Sequence, residues 1–285
     1  MQNISNCKLM KNFLLIISVI IFKNLAMCQM LNGQIVELGK DIPIAYSRIG
    51  VLNQSKGVIS NSNGYFRIDL SNLSEIDTLV VSAIGFEKMK FLISQCRTYL
   101  LNQENLKIEL SPKIKELDEV VVLSGKYRIL QTGNNVKSSM IIAGFQNKSL
   151  GAEMGTILNY NKKKKGLITK LHFNIVANKP DTIKFRVNLY ELESGLPGKI
   201  ILNEPIYFYG IPSNSAIDID ISEMNIYVKN DCFVSIELIE NIGMDGLFFK
   251  SSFLRSASYH REAPEASWVK ANVDLGFWAE IQFKK

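Results

Sequence analysis

Residues 57–86 constrain the fold more than any other stretch: G-V-I-S-N-S-N-G-Y-F-R-I-D-L, a short polar gap, then D-T-L-V-V-S-A-I-G-F. Asn61-Ser62-Asn63-Gly64 reads as a tight turn, because Asn and Gly accept the left-handed backbone that a hairpin needs. Residues 65–70 alternate, with Phe66, Ile68 and Leu70 to one side and Tyr65, Arg67 and Asp69 to the other, as in a half-buried strand. Leu79-Val80-Val81 is a continuous apolar run, the pattern of a strand covered on both faces. A hairpin followed by a buried strand needs further strands around it. The rest of the chain offers them as short alternating or apolar runs broken by Asn, Gly, Ser and Pro. No long i, i+3, i+4, i+7 stripe argues for helix, so the chain reads as all-β.

The start of the chain reads as an address, not as fold. Lys8 and Lys11 precede an apolar run at 13–22, too short to span a bilayer core of about 30 Å as a helix. Ala26-Met27-Cys28 comes next, with residues suited to a signal peptidase. A signal peptide over 1–28 and cleavage before Gln29 are expected, with acylation of Cys28 or a retained anchor as the alternatives. The formal net charge of +6 is partly a property of this leader. Without its three lysines, 30 basic residues face 27 acidic ones, a balance that gives no reason to expect nucleic acid. Cys96 and Cys232 would remain, in different domains. A disulfide between them is one reading and two small buried apolar groups the other. No Cys/His spacing suggests zinc, so neither a metal nor a cofactor is expected.

Seven short strands are expected at 31–37, 44–52, 57–60, 65–70, 79–81, 86–93 and 105–110, enough for a small sandwich over 29–123. The pattern resembles the carboxypeptidase-regulatory-like domain, a transthyretin-like β-sandwich of Gram-negative envelope proteins. The residues that carry the resemblance are Gly33 and Val36, Pro43 and Ala45, Gly57, Ser60, Asn63, Gly64 and Phe66. Ser82, Ile84, Gly85 and Phe86 continue it, and the exit segment Leu117-Asp118-Glu119-Val120-Val121-Val122 completes it. The resemblance implies a structural domain, named after a non-catalytic appendage of peptidases, without zinc ligands or a nucleophile. It also implies a second reading for the exit segment. In outer-membrane nutrient transporters a similar acidic-then-valine stretch lies near the energy-coupling box. Glu119, Val120, Val121 and Val122 would then dock on a periplasmic partner by strand addition. Residues 123–285 are too few to supply a transporter barrel, and the alternative is a last edge strand.

Residues 124–138 lose periodicity and read as a linker. Strands resume over 139–285, at 150–159, 167–177, 183–192, 200–202, 206–209, 216–221, 227–228, 232–239, 247–250, 256–259 and 276–283. This is the pattern of a jelly roll or related sandwich. It loosely resembles jelly-roll modules of secreted bacterial proteins, many of which bind carbohydrate.

Chemistry-bearing residues are sparse. His172 falls on the polar face of a strand. His260 lies near Glu262 and Glu265, but no nucleophile elbow accompanies it. Lys162 to Lys165 form a run between two strands that suits either solvent or an anionic lipid or polysaccharide. Aromatic residues gather in the last third. Trp268, Trp278, Tyr259 and Arg261 are the expected ligand-binding set, since exposed rings cover the apolar face of a sugar while polar neighbours take its hydroxyls. The chain is thus expected to be an exported, non-catalytic envelope protein. A C-terminal binding or adhesion module would take a polysaccharide or a protein partner, without nucleic acid. An assembly subunit docking through 117–122 and a two-carboxylate glycan hydrolase are the alternatives.

Overall fold

The computed structural model describes residues 29–101, 106–113, 126–146, 150–162, 164–178, 184–209, 216–241, 246–253 and 257–285. The expected leader with Cys28, and the segment holding Glu119, Val120, Val121 and Val122, lie outside the described residues.

Among the described residues the N-terminal sandwich has seven strands: β1 (Met30–Glu37), β2 (Arg48–Val51), β3 (Gly57–Ile59), β4 (Tyr65–Asp69), β5 (Thr78–Ser82), β6 (Met89–Leu92) and β7 (Leu106–Leu110). They form a three-stranded sheet, β4-β1-β7, and a four-stranded one, β3-β2-β5-β6. The alternation dictates the core. Leu31, Ile35, Phe66, Ile68 and Ile108 on one sheet meet Ile49, Val51, Leu79 and Val81 on the other. Gly64 takes φ +74°, and a Cβ there would stand 2.4 Å from the Ile35 carbonyl oxygen; the hairpin admits only glycine.

One element departs from the sequence reading. Residues 93–101 form a helix, α1 (Ile93–Leu101), where the sequence reading ends a strand at 93 and assigns no element to 94–101. Ile93 and Cys96, one turn apart, reach the core, and Arg97 Nη2 donates to the Leu73 carbonyl at 3.0 Å.

Among the described residues the C-terminal sandwich has fifteen strands: β8 (Tyr127–Gly133), β9 (Ile141–Gln146), β10 (Glu153–Leu158), β11 (Gly166–Asn178), β12 (Lys184–Glu193), β13 (Leu196–Ile200), β14 (Ile206–Tyr209), β15 (Ala216–Asp220), β16 (Tyr227–Val228), β17 (Cys232–Leu238), β18 (Gly246–Ser252), β19 (Ser258–Arg261), β20 (Val269–Lys270), β21 (Asp274–Leu275) and β22 (Phe277–Lys284). A seven-stranded sheet runs β13-β12-β17-β10-β19-β20, with β14 on β12. An eight-stranded sheet runs β21-β18-β11-β22-β8, with β15 and β16 on β11 and β9 on β18. Phe185, Val187, Leu189, Val234 and Ile236 face Leu171, Phe173, Phe277 and Ile281 across a jelly-roll-like core. β8 lies inside the stretch expected to be a linker. It pairs along β22 from Trp278↔Gly133 to Lys284↔Tyr127, so the second sandwich begins before residue 139.

The two sandwiches are packed face to face. β2 and β3 lie against the 262–266 turn that succeeds β19. A Cβ on Gly50 would stand 2.0 Å from the Pro264 carbonyl oxygen, and one on Gly57 2.8 Å from Pro264 Cδ. Tyr46 and Ile59 share a small apolar cluster with Ile239. Cys96 and Cys232 are free and buried. Burial pushes their thiols up, to about 11 and about 12, so both serve as small core groups.

Candidate functional site

The face of the seven-stranded sheet turned toward the N-terminal sandwich carries one row of charges across four strands. Register pairs Arg186 on β12 with Glu237 on β17, Glu237 with Glu153 on β10, and Glu153 with Arg261 on β19. The order is plus, minus, minus, plus. Directly opposed like charges on neighbouring strands repel, and both carboxylates are fully buried. Arg48, from β2 of the other sandwich, resolves this. Its Nη2 lies 2.5 Å from Glu237 Oε2 and 4.0 Å from Glu153 Oε2, and its Nε lies 2.8 Å from Glu237 Oε1. Asn188 Nδ2 donates to both carboxylates, at 2.8 and 2.9 Å. Glu153 Oε1 also accepts from Tyr190 and Ser235. Arg186 binds Glu237 through Nε and Nη2 and donates through Nη1 to the Tyr46 carbonyl at 2.6 Å. Arg261 binds Glu153 Oε2 at 2.9 and 2.5 Å.

Burial alone would raise the Glu237 carboxyl. Arg186 and Arg48 outweigh burial and hold it well below the usual carboxylate range. The Arg48 guanidinium is disfavoured by burial, yet Glu237 holds its pKa above the ordinary arginine value. A carboxyl held ionised by two guanidinium groups has no proton to give, so Glu237 is unsuited to be the acid of a glycosidase pair. The chemistry of this network is adhesion between domains.

Three of the four expected ligand residues arrive at this seam, but not as an open platform. Arg261 is 7% exposed and occupied by Glu153. Trp268 packs edge-on against Phe233 at 5.1 Å and Tyr190 at 5.8 Å, with the Arg261 guanidinium 4.7 Å over its ring. Tyr259 stands against Phe233 at 6.3 Å. Close by, Lys184 Nζ lies 4.2, 4.8 and 5.0 Å from the rings of Tyr46, Tyr207 and Tyr209. Tyr46 holds this place with φ +53°, a conformation unusual for an aromatic residue.

Trp278 lies on the other sheet. Alternation along β22 sends Phe277 into the core and leaves Trp278 half-buried on the outer face. Its ring stacks on His172, its register partner on β11, with centroids 3.6 Å apart and planes 6° from parallel. His172 Nδ1 lies 2.5 Å from Asp218 Oδ1 on β15. His172 Nε2 is buried without a hydrogen-bond partner, 4.0 Å from Glu280 Oε1. Gln131 on β8 donates to Glu280 at 3.3 Å. On its other side the register partner of Trp278 is Gly133 of β8. This face combines a ring held by its neighbour with polar groups beside it.

His260 Nδ1 lies 3.5 Å from Glu262, while Glu265 turns to Lys88 at 3.2 Å. Among the described residues no group of three His, Cys, Asp or Glu side chains is placed to hold a metal, and no helix is long and apolar enough to cross a membrane.

Residues 31–122 match the family described as the CarboxypepD_reg-like domain, the N-terminal third of the chain. No curated protein matches. Among solved structures, the cysteine protease and lectin-like domains of Cwp84, a surface-layer-associated protein of Clostridium difficile, align with 9% identity and a TM-score of 0.39. That alignment covers 81% of this chain and 46% of that one, so this chain spans less than half its length. Carbohydrate-binding modules of the β-sandwich superfamily align with 9% identity and a TM-score of 0.17, over 81% of this chain and 87% of that one. At such scores neither alignment bears on what this chain binds.

Proposed function

We propose that the protein is an exported, non-catalytic binding protein of the cell envelope that takes a saccharide on the outer face of its eight-stranded sheet, at Trp278. The observation that carries this reading is the parallel stack of Trp278 on His172, with Asp218, Glu280 and Gln131 held on the same face. A ring already fixed by its neighbours loses little freedom when a sugar packs on it, and preorganisation of this kind favours affinity. Trp268 does not share the role, because its ring is engaged by Arg261, Tyr190 and Phe233. The saturation of Glu237 by Arg48 and Arg186 supports a binding role over hydrolysis.

The test is a polysaccharide panel read by affinity electrophoresis, with the wild-type chain beside Trp278→Ala and Trp268→Ala. Retardation by one glycan class that disappears in Trp278→Ala, while thermal unfolding stays cooperative, supports the reading. Binding that survives Trp278→Ala, or no retardation by any glycan, overturns it.

A further inference from the structure

The lysine run at 162–165 gains its meaning from what the fold sets beside it. At one end of the eight-stranded sheet four neighbouring strands finish in register: Val228 of β16 pairs with Gly166 of β11, Gly166 with Phe283 of β22, and Phe283 with Arg128 of β8. One residue further out stand Lys229, Lys165 and Lys284, on adjacent strands spaced by about 4.8 Å. Beyond them the Lys285 amide donates to the Lys126 carbonyl at 3.0 Å, and Lys164 Nζ donates to a terminal carboxylate oxygen of Lys285 at 2.6 Å. Lys162 completes the group from the β10–β11 loop, 5.9 Å over the Phe283 ring. Four separate stretches of sequence thus deliver eight exposed cations to one end of the sandwich.

The group is short of compensating charge. In the described parts of these stretches the only acidic side chain is Asp231, and its Oδ1 accepts the Tyr160 amide at 2.6 Å. Lys40, Lys88 and Lys107 each pair with a carboxylate, of Glu37, Glu265 and Asp41. Among the described residues, none of the eight cations at this end pairs with an Asp or Glu side chain, and the terminal carboxylate of Lys285, against Lys164, offsets one of the eight charges. Aromatic and apolar groups lie among them. Lys165 Nζ is 5.9 Å over the Tyr227 ring, and Ile129 on β8 is 62% exposed.

We propose that this end of the C-terminal sandwich docks on the surface of a bilayer carrying anionic lipid headgroups. Charge complementarity selects an anionic partner, because an unpaired basic cluster near such a surface is attracted within a Debye length. The rings of Tyr227 and Phe283 and the exposed Ile129 among the cations favour a bilayer over a soluble polyanion. Tyrosine, phenylalanine and an exposed isoleucine among lysines suit the interfacial zone of a membrane. This surface is built from strand ends and loops and stands independently of the Trp278 reading.

The test is co-sedimentation with vesicles of phosphatidylethanolamine containing phosphatidylglycerol, beside vesicles of phosphatidylcholine alone. The wild-type chain is compared with Lys164→Glu/Lys165→Glu/Lys284→Glu and with the milder Lys162→Gln/Lys229→Gln. Soluble heparin is titrated in parallel, and thermal unfolding checks that each variant is folded. The proposal expects partition onto the anionic vesicles alone and its loss at about 0.5 M salt. It also expects a drop of about fivefold for each cation removed, and so of more than about a hundredfold for the triple reversal, which also adds three negative charges. Equal sedimentation of the triple variant, or equal binding to neutral vesicles, would overturn it. So would tight binding to heparin without partition onto vesicles, which would point to a soluble polyanion.

Discussion

Arg48 Nη2 lies 2.5 Å from Glu237 Oε2 although the two residues are 189 positions apart, and this pair joins the two sandwiches into one body. Glu153 and Glu237 sit opposite each other on neighbouring strands of the C-terminal sheet. Their repulsion is relieved by a cation that the other sandwich supplies. Arg48→Met should therefore destabilise the chain by about 3–5 kcal/mol, because it leaves buried carboxylates undercompensated. Urea denaturation measures the loss. Combined with Glu237→Gln the two effects should couple by about 0.5–3 kcal/mol. Simple additivity would mean that Arg48 acts through packing alone.

Acid should open the same seam. The Glu237 carboxyl is held low in the folded chain, so the unfolded state binds its proton more readily. The stability it contributes is present above the unfolded carboxylate pKa of about 4.3 and is lost as pH falls toward the folded value. Asp69, held low by Ser71, and Asp220, held low by Ser222, shift in the same direction. Thermal unfolding followed from pH 7 downward should show a midpoint that falls steeply below about pH 4. In Glu237→Gln, already less stable, that acid slope should be shallower.

A methyl group at Gly50 should be enough to disturb the docking. Its Cβ would meet the Pro264 carbonyl oxygen at 2.0 Å, and backbone on both sides would have to move. Gly50→Ala is expected to cost about 2–4 kcal/mol. At Gly39, with φ +72° and nothing within 4 Å of the added atom, alanine should cost only the left-handed strain of about 1 kcal/mol. Chemical denaturation of the two variants side by side checks the contrast.

Alternation makes much of this fold legible. Phe66, Ile68 and Leu70 are buried while Tyr65 and Arg67 are exposed, and Phe277 and Trp278 fall on opposite faces. Periodicity says which face a residue takes and not what covers that face. Arg48, Arg186, Glu153 and Glu237 lie on polar faces, and the neighbouring sandwich buries them. A signal is present all the same: Arg186 in F-R-V-N-L-Y and Glu237 in V-S-I-E-L are charges within strongly apolar strands, where exposed edges usually hold several polar residues. Arg261 looks like an open ligand group in the sequence for the same reason: nothing local reveals that Glu153 occupies it. Helix α1 is hard to see because its inward stripe, Ile93, Cys96, Tyr99 and Leu100, covers barely two turns and includes a cysteine and a tyrosine among polar neighbours. β8 is hidden because an edge strand with little burial carries little pattern.

The chain has only two tryptophans. One is engaged in the seam and the other lies half-buried on the outer face, so fluorescence separates them. The most direct test is to titrate whichever saccharide the panel identifies into Trp268→Phe, where Trp278 alone reports, and into Trp278→Phe, where Trp268 alone reports. A saturable change in emission confined to the protein that retains Trp278 is the predicted result. A change confined to the protein that retains Trp268, or none in either, would contradict the assignment of the ligand face.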